Sequence, residues 1–419
     1  MSSDYKALTL ETLPERLSTI EPITEKLGAN YRNWSVNEIG DGNLNLVFIV
    51  EGDSGKIIIK QALPYMRLVG DGWPLTLERA YFEYNALVRQ ERSDPGSVPF
   101  IHYFDRAQGL IAMEYLENHK ILRGKLILGE KIDGLAETMG NFCARSAFKG
   151  SDLYMDTKEK KHDVCLFQKN VELMDITETF VFTDPYFEAE KNHNTPGLDN
   201  IISLLRSDPN LKANAHHMLR KFTSNCETMC HGDLHSGSIM CTEKKTRVID
   251  PEFAFYGPMG FDIGMLISNF LMAFFSQPGH RNNQEELDSY QGWILETIQK
   301  TVEIFNKEFT FLWHHHRNGI LYPKKLFEDQ DHDSNVALEH ILREIWRDAV
   351  AICGIEMHRR CLSLAHNADF EEITDLKLKA KLEARNLLMG RDLILNAGSL
   401  VDVKSVLKIA KAYDKKDLL

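Results

Sequence analysis

Paired cysteines are missing from this chain: its seven cysteines are scattered, odd in number and show no CxxC spacing. That argues against a disulfide frame or a thiolate zinc site and points to free thiols in a reducing compartment. Positive charge is scarce too, with 49 Lys and Arg against 61 Asp and Glu and a formal charge of −12. No dense Lys/Arg stripe stands out, so neither a nucleic acid nor an anionic membrane surface is expected as a partner. Long apolar runs are absent: the longest, residues 264–275, is shorter than a membrane span and contains Asn269. The first residues, MSSDYK, lack the basic stretch and apolar run of a secretory signal. A cytoplasmic location is the simplest expectation. Biased tracts, internal repeats and flexible interdomain linkers are also absent. A composition of 43% hydrophobic and 26% charged residues suits one large or two ordinary globular domains.

Residues 11–27 read as a short helix or helix pair ahead of a strand-rich stretch. Short β-type runs at residues 37–39, 46–50 and 56–61 are separated by Gly-rich or Asp/Gly/Ser turns. Residues 73–90 predict a helix opening near a proline, with Leu75, Phe82 and Ala86 on one face. Two more strands are expected at residues 100–103 and 110–114. Residues 1–116 would thus form an N-terminal lobe with a five-stranded sheet and one helix, and residues 117–419 a mainly helical C-terminal lobe. One hairpin interrupts the helices, residues 239–241 and 246–249 around a polar turn. Late in the chain Ile341, Ile345, Ala349 and Ile352 mark an amphipathic helix. The expected fold class is α+β, two-lobed, with a cleft at a hinge near residues 114–116.

The densest chemical signal is HGDLHSGS at residues 231–238, followed by VIDPE at residues 248–252. Asp233 precedes the hairpin and Asp250 follows it, so folding back can bring both carboxylates to one cleft. Phosphoryl transfer needs such a pair. One acid accepts the proton of the attacking hydroxyl, and the other holds the Mg²⁺ that bridges phosphate oxygens. Magnesium favours one or two carboxylates with phosphates and water, and Glu252 can supply a second ligand. Singly, Gly-Asp and Asp-Pro mean only turns. Together, around a hairpin, they point to catalysis.

Four weaker signals surround this one. In EIGDGNLNLVF, residues 38–48, Gly40 and Gly42 let the backbone approach phosphate oxygens, although an ordinary Asp-Gly turn reads the same way. Lys60 ends the apolar strand KIIIKQ, where alternation puts positions 56, 58 and 60 on one face. A lysine there can reach the α- and β-phosphates, or simply guard a sheet edge. Glu83 is its expected ion-pair partner, with Glu78 the alternative because the helix phase is not fixed. MEYL, residues 113–116, would be the hinge. Arg359 and Arg360 could form a solvated helix face. Their planar forks could equally hold substrate hydroxyls or charge on a transferred phosphoryl group. His231 and Asp262 are read as braces of the 231–238 loop, Asp262 as a helix cap as well. Trp73 is left between packing and closing the cleft.

HGDLHSGS with IDPEFAFYGPMGFDIG resembles the catalytic and metal segments of the aminoglycoside phosphotransferase and choline kinase superfamily, whose fold is protein-kinase-like. With GDGNLN, IIKQALPY and HRRCLSLAH, the chain resembles the methylthioribose kinases more closely, from about residue 38 to about residue 366. The superfamily's catalytic loop normally carries Asn where this chain has Ser238, and methylthioribose kinases share that change. The resemblance implies Asp233 as catalytic base and sugar ligand, with Asp250 and Glu252 on the metal. It implies ATP contacts at Asn43, Lys60, Glu114, Tyr115, Leu116, Asp250, Pro251 and Glu252, and substrate contact through Arg359 or Arg360. ATP and Mg²⁺ would be required, the product would be S-methyl-5-thioribose 1-phosphate in methionine salvage, and a homodimer is expected. The alternatives are an aminoglycoside, choline or homoserine kinase of the same superfamily and, behind these, a non-catalytic binding module.

Overall fold

The computed structural model describes residues 5–39, 44–66 and 70–418. Two short helices come first, α1 (Leu13–Leu17) and α2 (Glu21–Leu27). Each has proline in its first turn, where the missing N–H costs nothing. Their leucines and isoleucine pack on one face of a five-stranded antiparallel sheet. Its strands are β1 (Ser35–Glu38), β2 (Asn45–Gly52), β3 (Gly55–Ala62), β6 (Ile101–Asp105) and β7 (Leu110–Glu114), in the order β1-β2-β3-β7-β6. Gly52 opposite Gly55 leaves Asp53 and Ser54 as a two-residue turn. Along β3 the faces alternate: Ile57 and Ile59 are buried with α1 and α2, whereas Ile58 packs toward the larger core. Lys60 shares the side of Ile58 and turns toward α3 (Glu78–Ser93).

The helix expected from Trp73 starts later, at Glu78. Residues before it form a two-stranded ribbon, β4 (Tyr65–Met66) with β5 (Gly70–Pro74), in which Tyr65 faces Pro74. The reason is local. Leu75 N–H donates to the carbonyl of Pro64 at 3.1 Å, and Glu78 N–H donates to Thr76 Oγ1 at 3.2 Å. The chain is thus held extended until Thr76 supplies a cap-like acceptor. Leu75 accordingly packs on Leu173, not with Phe82 and Ala86.

After β7 the chain is mainly helical, so the α+β class expected from the sequence is the one observed. A short strand β8 (Lys120–Ile121) leads into α4 (Leu122–Leu128), α5 (Leu135–Lys149), α6 (Thr157–Phe167), α7 (Val171–Thr177), α8 (Asp199–Ser207) and α9 (Pro209–Ser224). Strands β9 (Thr228–Cys230), β10 (Ile239–Cys241), β11 (Thr246–Val248) and β12 (Phe255–Gly257) follow. Here β10 pairs with both β11 and β8, and β9 pairs with β12. The helices α10 (Phe261–Ser276), α11 (Gln284–His316), α12 (Asn335–Leu362), α13 (Ala368–Glu371), α14 (Leu376–Asn396) and α15 (Val403–Asp414) complete the chain. Apolar almost all round, α10 runs through the core against α11, α12 and α14. The amphipathic pattern expected for α12 holds only in its first half, because residues 348–362 are buried on every side. That burial carries Arg359 and Arg360 into the interior. Among the described residues no helix is long and apolar enough to cross a membrane.

Candidate active site

The loop between β9 and β10 is pinned from three directions. Asp262, in the first turn of α10, accepts the N–H of His231 at 2.7 Å and of Gly232 at 3.1 Å. It braces the loop as expected, but it does not cap α10, whose N-cap is Gly260. The carboxylate is spent on the loop. His231 Nε2 bonds the carbonyl of Ile249 at 2.9 Å, tying the loop to the far end of the hairpin. Gly232 has φ +88°, and a Cβ there would stand 2.1 Å from the carbonyl oxygen of Phe253, so only glycine fits. Ser238 Oγ accepts the N–H of His235 and bonds the carbonyl of Asp233, both at 2.9 Å. Its hydroxyl is used within the loop.

Asp233, in the first half of this loop, meets the buried end of α12. Its Oδ1 lies 3.4 Å from Arg359 Nη1 and 3.3 Å from Arg360 Nη2, and its Oδ2 lies 3.2 Å from His235 Nε2. Burial alone would raise its pKa, yet His235 and the two guanidiniums hold it well below the usual carboxylate range. Both arginines also bond Glu356, which is 0% exposed: Arg359 Nη1 at 3.1 Å and Arg360 Nε at 2.5 Å. The twin arginines therefore lie between two carboxylates, Glu356 fully buried and Asp233 partly exposed.

A second cluster forms where the sheet meets the end of the hairpin. Lys60 Nζ donates to Glu83 Oε1 at 2.8 Å and makes a short contact with Asp250. Glu78, the other candidate partner, is paired with Arg106 instead. Asp250 has φ +67°, a left-handed conformation uncommon for a residue with a Cβ and best tolerated by Asp or Asn. That turn leaves its side chain 46% exposed. Glu252 is buried and accepts Asn45 Nδ2 at 3.0 Å, with Arg79 Nε at 3.5 Å. Carboxylate oxygens of Glu83, Asp250 and Glu252 lie within 4.8 Å of one another. Two of these acids meet the Lys60 ammonium and the third stands beside them, an all-oxygen donor set of the kind that suits a hard divalent cation such as Mg²⁺.

The other expected positions divide. Glu114 closes β7, where its N–H donates to the carbonyl of Phe100 at 2.8 Å; Tyr115 follows, and Leu116 is buried with its carbonyl accepting His119 N–H at 3.2 Å. Pro251 sits between the two acids, its carbonyl accepting Ala254 N–H at 3.1 Å. Gly40, Gly42 and Asn43 lie outside the described residues. Trp73 packs against Phe180 and lies under Lys191.

Residues 35–293 match the phosphotransferase enzyme family. The chain is 42% identical over 412 residues to a methylthioribose kinase of Escherichia coli, covering 98% of each. It is 38% identical over 415 residues to methylthioribose kinase 1 of Oryza sativa subsp. japonica, covering 98% of this chain and 96% of that one. Against a methylthioribose kinase of a Geobacillus species it is 40% identical over 371 residues, 88% of each. The chain belongs to the methylthioribose kinase family. It is a kinase.

Several residues that build the site of this kinase escape notice in its sequence. Glu356 stands three and four positions before the twin arginines, a helical spacing that could have revealed it. Arg79 carries the same signal, one turn ahead of Glu83 on α3. Asn45 was within reach as part of the motif GDGNLN. Arg123 and Asp369 gave no local hint: Arg123 reaches the 231–238 loop from α4, and Asp369 reaches Arg123 from α13.

Proposed function

We propose that this kinase transfers the γ-phosphoryl group of ATP to the anomeric hydroxyl of S-methyl-5-thioribose, giving the 1-phosphate and ADP as a step of methionine salvage. The observation that carries this reading is the meeting of Asp233 Oδ1 with both Arg359 and Arg360 at 3.3–3.4 Å. Asp233 accepts the hydrogen bond of the attacking hydroxyl and directs its oxygen toward the γ-phosphorus. As the new P–O bond forms and the bridge to the β-phosphate breaks, the hydroxyl proton passes to Asp233 and ADP leaves. With its pKa held low, Asp233 acts mainly by orientation and takes the proton late. Arg359 and Arg360 bind sugar hydroxyls and offset charge on the phosphoryl oxygens. Asp250 and Glu252 would hold Mg²⁺, which when bound neutralises charge on the β- and γ-phosphates. Lys60 reaches the α- and β-phosphates; Asn43 and Glu114 to Leu116 complete the nucleotide contacts, and Pro251 lies alongside.

A choline or aminoglycoside acceptor is cationic, and two arginines beside the attacking oxygen would repel it. An acceptor panel with coupled ADP release tests the assignment. Turnover is expected with methylthioribose and not with choline, homoserine or an aminoglycoside. Turnover with choline alone would overturn the substrate. Lys60→Met is expected to raise KM for ATP about tenfold or more, since a charge-assisted contact is lost. KM for the sugar should stay constant in the same assay. An unchanged KM for ATP would remove Lys60 from the phosphate site. The same reading makes the enzyme cytoplasmic and a homodimer, the latter measurable by sedimentation equilibrium.

A further inference from the structure

His235 appears in the loop motif without an assigned task, and its surroundings define one. Its Nδ1 is approached by three donors: Gly237 N–H at 2.8 Å, Ser238 N–H at 3.2 Å and Arg123 Nη2 at 3.3 Å. A ring nitrogen facing three donors is an acceptor, so the ring's proton resides on Nε2. Nε2 is the atom 3.2 Å from Asp233 Oδ2. Gly237 makes this possible, because a Cβ there would stand 2.6 Å from His235 Cε1. Arg123 is itself held from several sides: Nε lies 3.1 Å from Ser236 Oγ and 3.4 Å from wholly buried Asp369, and Nη2 lies 3.2 Å from Asn269 Oδ1.

We propose that His235, locked by Arg123 as the Nε2–H tautomer, is a positioning residue that donates to Asp233 Oδ2 and so fixes the orientation of the catalytic carboxylate. The two oxygens of Asp233 are then held separately, Oδ2 by His235 and Oδ1 by Arg359 and Arg360. Held at both oxygens, the carboxylate is restrained from rotating. Burial lowers the His235 pKa to about 4, which agrees with a neutral ring. The other charges that reach Asp233 come from Arg123 on α4 and from Asp250 and Asp262, all outside the catalytic loop. This inference rests on Asp233 being the base of the proposed reaction.

Two substitutions at one position separate positioning from loop structure. In His235→Asn the side-chain oxygen can still accept the loop amides, but no donor reaches Asp233. In His235→Gln the amide nitrogen can take the place of Nε2. His235→Asn should lower kcat by about tenfold to a hundredfold, the effect of losing a hydrogen bond to a charged group, with KM for ATP unchanged. The acid limb of its kcat–pH profile should move to higher pH, because a carboxylate that loses a donor binds its proton more tightly. His235→Gln should retain most of the activity and leave the limb in place. Should His235→Asn not fold, Arg123→Lys, which loosens the hold on Nδ1, should move the limb in the same direction. Wild-type kcat in His235→Asn, or loss of activity with an unmoved acid limb in these variants, would overturn the proposal. A wrong substrate shows separately, as absence of turnover by the wild-type enzyme.

Discussion

Asp233→Ala is expected to lower kcat about a thousandfold or more, the loss typical of removing a base that also orients the nucleophile. Affinity for ATP should be nearly unchanged, because the cluster of Lys60, Glu83, Asp250 and Glu252, proposed above to hold the nucleotide, is built from β3, α3 and the segment after the hairpin. The fold should also survive. Arg359 and Arg360 keep Glu356 as a partner when Asp233 is gone, so no buried guanidinium is left alone. Steady-state kinetics with a direct titration of ATP binding checks both halves. Near-normal turnover would remove Asp233 from the base position.

Glu356→Ala should do the converse, damaging the fold first. Glu356 is 0% exposed and bonds both arginines, which are themselves 7% and 5% exposed. Its removal leaves two buried cations facing, among the described residues, only the partly exposed Asp233. Breaking a buried ion pair from one side costs about 3–5 kcal/mol, because the remaining charge is neither solvated nor paired. Equilibrium denaturant unfolding should show that loss. The variant's KM for the sugar should rise as well, since the arginines lose the contact that orients them. A midpoint equal to wild type would mean that the arginines have another anchor.

What was legible is the hairpin between the proposed base and the proposed metal acids: β10 pairs with β11 in the register Ile239–Val248, with Asp233 before the first strand and Asp250 after the second. Lys60 was legible for a similar reason, as β3 alternates strictly and turns it toward α3. Its partner was not settled. The phase of α3 depends on where the helix starts, and the start is set by Thr76 and the β4–β5 ribbon, not by the proline that the pattern suggested. With the helix begun at Glu78, Glu83 faces Lys60 and Glu78 faces Arg106.

The residues of the chain decide which side chains can perform this chemistry, and short-range periodicity decides those that meet across a single turn or hairpin. Tertiary structure decides the rest: that Arg359 and Arg360 are interior and not a solvated face, that Arg123 reaches the 231–238 loop from α4, and that Asp369 reaches Arg123 from α13. Periodicity acts over a few residues and survives in any context. A buried charge, by contrast, is stable only beside an opposite one, and which elements bring those charges together depends on how α4, α12, α13 and the hairpin pack.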